Sequence, residues 1–468
     1  MNPQVSMRDY EGFGGFGQGS AQEVEELNKA LTAGYGSGRG SGGGALRVES
    51  LEATLRVLTF NQAHVKFWRD IPKLPAFSTV EEYTVQTSYG GETGMFTREG
   101  ELPQVQDSAY DRRSALVKFV GTQREVTHPM MLVRPAHGNV IALETQNGAI
   151  WLMERLERAL FFGRSDTIVE SFDGIDKQIS DDPVANNLNV IDLRGGALTE
   201  DKIEEATNII VEGYGVATDL YLSPRAMSDM TKQFFPKQHI GIPSAVNGTI
   251  GMSIGKIQTQ AGLINLKPDI FLRSGKNNGV KRAPTSSTAI RAPVTPTGVV
   301  AAAASSATGS QFTTADVGTF QYKVSAINRF GESAAVQEPG GIVVASGDGI
   351  DLTITNGSDT ADATTGYRIY RSLVNGAAGS EQLIREVPRG GGAATTVIRD
   401  LNADLPNTSR AYLIQMNLQT LAVKQLAPMM KIPLATLAAS IRWMQLIYLT
   451  PIVYQPRKII CFKNVADD

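Results

Sequence analysis

The stretch NVIALETQNGAIWLMERLERALFF, residues 139–162, decides how the rest of the chain is interpreted. Leu152, Leu156 and Leu160 recur at the spacing of one helix face, and Glu154 precedes Arg158 at the favourable i,i+4 distance. Gly163 follows as a helix stop. At about 1.5 Å per residue the predicted helix is about 36 Å long, enough to cross a whole domain.

A long two-stranded arm is predicted ahead of this helix, over residues 79–128. The segment YTVQTSY at residues 83–89 alternates at strand spacing, and ALVKFVGTQREVT at residues 115–127 is a second strand-like run. Between them lies the polar stretch GGETGMFTREGELPQVQDSAYDRR. An isolated two-stranded ribbon is marginally stable in water, and this arm has too few apolar residues for a core of its own. We therefore expect it to lie on another surface.

Helices and strands alternate beyond the long helix, which predicts an α+β or α/β domain over residues 189–283. TEDKIEEATNIIVE at 199–212 is typical of a helix, TDLYLS at 218–223 of a buried strand, and Ser223 and Pro224 of a new helix start. Residues 284–410 change character, because short alternating strands such as DLTIT and GYRIYRS lie between turn residues. They predict one β-sandwich inserted into the host domain, to which residues 411–468 return as helical and then strand-like segments.

Composition excludes several function classes. With 468 residues, 42% hydrophobic and 19% charged, the chain is typical of a folded protein of two or three domains. The net charge of −3 provides no basic field for specific nucleic-acid binding. Cys461 is the only cysteine, which excludes an intramolecular disulfide and a cysteine-rich metal site.

One apolar segment has about the length of a membrane span, LATLAASIRWMQLIYLTPIVY at residues 434–454. Arg442 near its centre would cost about 2.5 to 3.5 kcal/mol on insertion scales, and Gln445 and Pro451 weaken the case further. We therefore interpret the segment as a buried helix followed by core strands and expect no membrane association.

The motifs of cofactor and nucleophile chemistry lack their structural context. Gly12, Gly14 and Gly17 match a dinucleotide-binding loop, but no strand precedes them, and the same pattern recurs by composition at residues 38–43. Ser253 stands in a G-x-S-x-G motif, yet all four histidines precede it, which is not the order of α/β-hydrolases. No histidine pair has metal-ligand spacing. We expect no cofactor, no metal and no catalytic residue.

The order of these parts resembles the major capsid proteins of tailed bacteriophages, whose fold is shared with encapsulins. Three stretches carry the resemblance: FTREGELP at 96–103, GGALTEDKIEEATNIIVEGYGVATDLYLSPRA at 195–226, and RWMQLIYLTPIVYQPRKIICFKNV at 442–465. The resemblance implies an α+β capsid fold. Its first half would contain a flexible N-terminal arm (1–78), an extended β-loop (79–128), and a spine helix with the peripheral domain (129–188). An axial domain (189–283), an inserted immunoglobulin-like or fibronectin-like sandwich (284–410), and a return to the axial and peripheral domains (411–468) would follow.

The resemblance also implies a function in assembly rather than catalysis. Copies would form pentamers and hexamers of an icosahedral shell, with portal, scaffold or decoration proteins as further partners. Packaged DNA would be held non-specifically, the chain would assemble in the host cytoplasm, and it would end in the virion. The sandwich would lie on the outer surface, either as a weak adhesion module or as a stabilising decoration without a ligand.

Candidate subunit contacts follow from the same resemblance. Some capsid proteins cross-link through a lysine of the extended loop, but Lys118 is the only lysine between residues 79 and 127 and lies away from the tip. We therefore expect non-covalent contacts from Phe96, Arg98, Glu99, Arg112 and Arg113 at the loop tip, and from Glu154 and Arg158 on the spine helix. The alternatives are an encapsulin-like compartment, a phage tail or adhesion protein, and a serine hydrolase that uses Ser253.

Overall fold

The computed structural model describes residues 62–91, 93–133, 139–234, 254–272, 282–357, 362–390, 394–435 and 438–466. In these ranges the α-helices are α1 Phe67–Asp70, α2 His128–Leu132, α3 Val140–Phe162, α4 Ile175–Asp181, α5 Pro183–Leu188, α6 Glu200–Glu212 and α7 Pro224–Phe234. The first strands are β1 Lys73–Pro75, β2 Val80–Ser88, β3 Ala109–Leu116, β4 Lys118–Thr127, β5 Val190–Asp192, β6 Asp219–Leu222, β7 Lys256–Thr259 and β8 Gly262–Pro268.

The remaining strands build the second half of the chain. They are β9 Gly298–Ala304, β10 Gly318–Phe320, β11 Tyr322–Ile327, β12 Val336–Gln337, β13 Ile342–Val344, β14 Gly349–Thr355, β15 Gly366–Arg371, β16 Gln382–Pro388, β17 Thr395–Asp400, β18 Thr408–Ile414, β19 Leu421–Pro433, β20 Ser440–Val453 and β21 Ile459–Ala466. Helices and strands therefore mix along the chain, and the predicted α+β class is confirmed.

The long helix α3 is present as predicted, and its apolar stripe forms the centre of one core. Leu152, Leu156 and Leu160 are each 0% exposed and pack in a cluster with residues of β19 and β20. Gly163 ends the helix, where its backbone N–H donates to the carbonyl of Ala159 at 2.7 Å. A Cβ at Gly163 would lie 2.5 Å from the carbonyl oxygen of Phe172, so a side chain does not fit there.

A four-stranded sheet in the order β1-β19-β20-β4 packs against α3. The prediction of a buried helix in residues 434–454 is wrong at this point, because residues 440–453 form the long strand β20. Its sequence is apolar on both faces, although one set of alternate residues in its first part is only half-buried, and such a run cannot be told from a buried helix by periodicity alone. Among the described residues no helix is both long and apolar enough to cross a membrane.

A second sheet of six strands in the order β5-β21-β18-β6-β8-β7 forms a separate core with α6 and α7. The predicted helix, buried strand and helix start of this region are confirmed as α6, β6 and α7. Ser223 Oγ accepts a hydrogen bond from the backbone N–H of Ala226 at 3.1 Å, which is the geometry of an N-cap. The last described strand, β21, lies inside this sheet between β5 and β18.

Residues between β9 and β17 form three further sheets, the two-stranded pair of β10 and β13 and two larger sheets around a shared apolar core. One has the order β12-β11-β15-β16 and the other β17-β14-β9, and Tyr322, Ile350 and Ile369 from both sheets are each 0% exposed within one cluster. Arg194 Nη1 donates to Asn402 O at 2.7 Å and Arg329 pairs with Glu170 at 3.1 Å, so this sandwich is held to the host at separate places. Strand β18 begins at Thr408, so residues 408–410, predicted to end the insert, already belong to the host sheet.

Candidate subunit interface

The hairpin of β2 and β3 extends from the body without a core of its own. Its strands pair from Val80 with Leu116 to Ser88 with Ala109, and no residue of either strand is buried. The predicted return strand at residues 115–127 is wrong in part, because the chain leaves the hairpin after Leu116 and β4 pairs with β20 instead. Alternating polarity predicted both strands, but it does not encode which strand each one pairs with.

Three side-chain contacts fix the base of the hairpin to the body. The Tyr83 ring meets Tyr454 edge to face with centroids 5.1 Å apart. Lys424 Nζ lies 3.5 Å from Glu81 Oε2, and Arg113 Nη1 lies 3.9 Å from Asp182 Oδ2. A cavity of about 600 Å³ remains between the hairpin base and the body, lined among others by Tyr83, Arg113, Phe172 and Pro451. The body therefore supports the hairpin at a few points and leaves most of it uncovered.

Glu81 also sets the start of β2. Its Oε1 accepts hydrogen bonds from the backbone N–H groups of Phe77 at 2.8 Å and Ser78 at 3.2 Å. Burial opposes ionisation here, but these hydrogen bonds and the Lys424 charge together hold the pKa of Glu81 below its ordinary value. The carboxylate is therefore charged at neutral pH and stabilises the turn into the hairpin.

The connection between the two strands, here called loop 89–108, exposes a series of large apolar side chains. The exposed fractions are 88% for Tyr89, 79% for Met95, 85% for Phe96, 93% for Leu102 and 83% for Val105. Five large apolar side chains left uncovered in one loop make it a candidate interaction surface, since their burial against a partner would be favourable.

Backbone turns and one glutamine give loop 89–108 a defined shape. Gln106 Oε1 accepts a hydrogen bond from the backbone N–H of Gly91 at 2.7 Å, and its Nε2 donates to the carbonyl of Thr93 at 2.9 Å. Gly100 has φ +82° and stands third in a turn closed by a 3.1 Å hydrogen bond from Glu101 N to Arg98 O. A positive φ at this position is the requirement of a type II turn, which glycine meets without strain.

The predicted contact residues of the loop separate into two groups. Phe96 is exposed in loop 89–108. Arg98 and Glu99 are the first two residues of the turn that the hydrogen bond from Glu101 N to Arg98 O closes. Arg112 and Arg113 are not at the tip, because both belong to β3. Arg112 pairs with Glu82 across the hairpin, while Arg113 pairs with Asp111 at 2.8 Å. The strand extends further into the polar stretch than its composition indicated.

The two predicted contact residues of α3 lie elsewhere. In the part of the chain that the structure describes, no ion pair joins Glu154 to Arg158, although their i,i+4 spacing is as predicted. Desolvation lowers the pKa of Arg158, and the charges of Arg368 and Glu386 in the sandwich act on it in opposite directions. Their role in contacts between copies stays a prediction.

The residues of the rival chemistries lie only in part within the described ranges. Ser253 and the glycines at residues 12–17 and 38–43 lie outside the described residues. Burial raises the pKa of the Cys461 thiol to about 12, so it is not a reactive thiolate. Among the described residues, no group of three or more His, Cys, Asp or Glu side chains is placed to hold a metal ion.

Two features of the structure were missed by the sequence analysis. The apolar side chains of Met95, Leu102 and Val105 were passed over because a polar, glycine-rich stretch surrounds them. The signal available in the sequence was the presence of these large apolar residues in a stretch that is otherwise polar. Glu157 was also missed: it lies on the buried side of α3 at 0% exposure, where a helical pattern alone predicts an apolar residue.

Comparison with known proteins gives the following findings. No family model matches the sequence. The chain is 26% identical over 455 residues to a putative major capsid protein of Enterococcus phage phiEF24C, covering 94% of this chain and 95% of the relative. It is 27% identical over 456 residues to the major capsid proteins of Staphylococcus phages S25-3 and K, covering 95% of this chain and 96% of each relative.

Similar solved structures include a capsid and an encapsulin complex. The capsid of a native GTA particle aligns with a TM-score of 0.46 at 9% identity, over 92% of this chain and 100% of that chain. An encapsulin complex of Synechococcus elongatus PCC 7942 aligns with a TM-score of 0.37 at 13% identity, over 88% of this chain and 92% of that chain.

Proposed function

We propose that this chain is a major capsid protein, which assembles in many copies into the icosahedral shell of a bacteriophage. The observation that carries the proposal is its similarity to relatives named major capsid proteins, which extends over 94–95% of this chain and 95–96% of each relative. Because the match runs almost from end to end, it includes the hairpin, the sandwich and both host sheets. The function predicted from the sequence agrees with these relatives.

Assembly rests on loop 89–108 in this proposal. The exposed side chains of Met95, Phe96 and Leu102 lie against a second copy, where the burial of apolar surface drives association. Arg98 and Glu99 pair with charges of that copy and set the register of the contact. The contact joins two different surfaces, so it is heterologous and closes into the rings of five and six from which a shell is built.

The remaining partners follow from the same role. The shell holds DNA by confinement, which a net charge of −3 permits because no specific contact is needed. Portal, scaffold or decoration proteins complete the particle, which assembles in the host cytoplasm. The chain acts in this role as a structural component and not as an enzyme.

The sandwich is the outer decoration of the shell in this proposal, and its immunoglobulin-like character is part of it. Its three-stranded sheet presents an open row in which Thr353 lies between Val300 and Val397. These valines are 60% and 63% exposed. A face of this kind is accessible from outside whether or not it takes a ligand.

The first test is assembly itself. Negative-stain electron microscopy of the concentrated protein is expected to show closed shells or rings of five and six copies. Deletion of residues 90–113 is expected to leave soluble monomers or capsomers without closed shells. Normal particles formed by this deletion variant would contradict the role of the loop.

A second test uses the single native cysteine as a clean background, since Cys461 is 3% exposed and resists labelling. Phe96→Cys and Val397→Cys each add one exposed thiol, and both are expected to react with a maleimide in the free chain. In intact particles the thiol at position 96 should be protected and that at position 397 should still react. Equal labelling at position 96 in free and assembled protein would refute the loop contact, and protection at position 397 would refute the outer sandwich.

A further inference from the structure

Glu157 is a buried carboxylate that binds the backbone of a distant segment. It lies in α3 at 0% exposure. Its Oε1 accepts hydrogen bonds from the N–H groups of Lys66 at 2.8 Å and Phe67 at 2.6 Å, and its Oε2 accepts one from Trp68 at 2.8 Å. Three N–H groups directed at one carboxylate fasten residues 66–68 to the helix.

A second buried carboxyl group lies beside it. Asp269, which follows β8, is 0% exposed, and its Oδ1 accepts a hydrogen bond from Phe271 N at 2.8 Å. Its Oδ2 is buried and has no hydrogen-bond partner. Burial raises the pKa of Asp269, and burial together with the Asp269 charge raises the pKa of Glu157. Two adjacent carboxyl groups in an apolar site cannot both ionise without a large cost, so the pair retains a proton.

The charged groups near Glu157 and Asp269 form most of their contacts with other residues. Lys267 lies 2.8 Å from Asp70 and 2.8 Å from Asp219, and the Tyr221 hydroxyl donates to Asp70 at 2.9 Å. In the segment that Glu157 binds, Lys73 Nζ donates to the carbonyl of Trp68 at 2.6 Å, and Lys66 acts on Asp269 only at a distance. Among the described residues, no ion pair forms with Glu157 or Asp269.

We propose that Glu157 and Asp269 share one proton and form a pH-sensitive latch that fastens residues 66–68 to α3. The shared proton lies between the two carboxyl groups, so that the protonated group donates its O–H to the other while Glu157 still accepts the three backbone N–H groups. When the proton leaves to solvent, two negative charges face each other in the core. Their repulsion is relieved when residues 66–68 leave the helix and water reaches both carboxylates.

The sign of the pH effect follows from proton counting. The closed latch binds more protons than the open one between the ordinary carboxyl pKa of about 4 and the raised pKa of the pair. Opening is therefore favoured as pH rises through this window, by about tenfold per pH unit for one proton, and becomes independent of pH above it. The latch is a property of the single chain, so its test does not depend on the proposed shell.

The experiment is hydrogen–deuterium exchange of the full unassembled chain, followed in peptides that cover residues 62–70. After correction for intrinsic exchange rates, the opening equilibrium is expected to rise about tenfold per pH unit between about pH 5 and the upper end of the window. Opening that is independent of pH in the natural sequence would overturn the proposal, whatever the variants do.

Three variants locate the effect. Asp269→Asn keeps the acceptor for Phe271 and removes the second charge, so residues 62–70 should stay closed at all pH values. Glu157→Gln loses acceptor capacity and should open at all pH values. Glu338→Gln alters a buried carboxyl group of the sandwich and should leave the profile of residues 62–70 unchanged. A pH profile of Asp269→Asn identical to that of the natural sequence would also overturn the proposal.

Discussion

Two antiparallel ladders of this chain share one backbone pattern and differ in what covers them. The β19–β20 ladder has β1 and β4 at its edges and α3 on one face, so that Trp443 and Leu449 are 1% and 0% exposed. Among the residues that the structure describes, no further strand pairs with either edge of the β2–β3 hairpin, and its strands hold no buried residue. A two-stranded ribbon is marginally stable alone. The comparison teaches that the described part of the chain covers the ladder but leaves the hairpin largely uncovered, and in the proposed shell a second copy supplies the missing contacts.

The largest expected difference concerns one leucine in each region. Leu449→Ala in β20 removes a fully buried side chain from the core and should lower the free energy of unfolding by about 2 to 5 kcal/mol. Leu102→Ala in loop 89–108, where the side chain is 93% exposed, should change it by less than about 0.5 kcal/mol. Urea denaturation of the unassembled protein measures both.

The same two variants should exchange their ranking in an assembly assay. Leu102→Ala is expected to reduce the yield of closed shells although its folding is intact. An unchanged yield of closed shells from Leu102→Ala would show that this side chain is not needed for assembly. A large loss of folding stability would show that the side chain is covered within its own chain.

The contact between α3 and the ladder provides the next prediction. A Cβ added at Gly148 would lie 2.1 Å from Gln445 Oε1, the side chain whose Nε2 donates to Thr145 O at 2.6 Å. Gly148→Ala should therefore destabilise the protein by about 1 to 3 kcal/mol through overpacking, despite the better helix propensity of alanine. Thermal and urea unfolding check the value.

A double-mutant cycle sharpens this prediction. Gln445→Ala removes the clashing side chain, so the loss caused by Gly148→Ala should be much smaller in its presence. Additive losses in the double variant would mean that the clash lies with another group.

The hairpin base should show its own pH dependence through Glu81. Because the pKa of Glu81 in the fold is below its ordinary value, its contribution is present above about pH 4 and lost as pH falls through the lowered pKa. Exchange of the Phe77 and Ser78 amides should therefore increase in acid. Glu81→Gln should remove this acid response, and an unchanged response would assign it to another carboxylate.

The smallest effect is expected from the exposed pair of Arg112 and Glu82 within the hairpin. Solvent screens this cross-strand pair, so Arg112→Ala should cost at most about 1 kcal/mol in the unassembled chain. Exchange of the two residues, Glu82→Arg with Arg112→Glu, should restore the stability of the natural pair. If the exchanged pair folds normally but does not assemble, Arg112 has a role in contacts between copies as well.

Elements defined by local signals could be predicted from the sequence. The leucine stripe of α3, the acidic start of α6 and the Ser223 cap of α7 each encode structure within a few residues, and all three were predicted correctly. Pairing partners are not local. Residues 115–127 alternate well, yet nothing in them distinguishes a partner in β2 from one in β20, which lies more than 300 residues further along the chain.

The candidate interface was predictable in place but not in detail. Phe96, Arg98 and Glu99 were placed in the extended loop from sequence, whereas Arg112 and Arg113 were misplaced because polar strand residues resemble loop residues. β20 was taken for a helix because it is apolar on both faces. For β20, burial by distant elements overrides the local pattern, whereas for Arg112 and Arg113 the pairing with β2 extends a strand into a polar stretch. Only the three-dimensional structure shows either effect.

The position of β21 has a consequence for synthesis of the protein. This strand contains residues 459–466 and lies within the six-stranded sheet, between β5 and β18. During translation the sheet therefore cannot close until residues 459–466 have left the ribosome, and its non-local pairing makes folding slow. A chain terminated before residue 459 lacks an interior strand rather than an edge. In the proposed shell such a chain would be excluded from assembly, because its six-stranded sheet is incomplete.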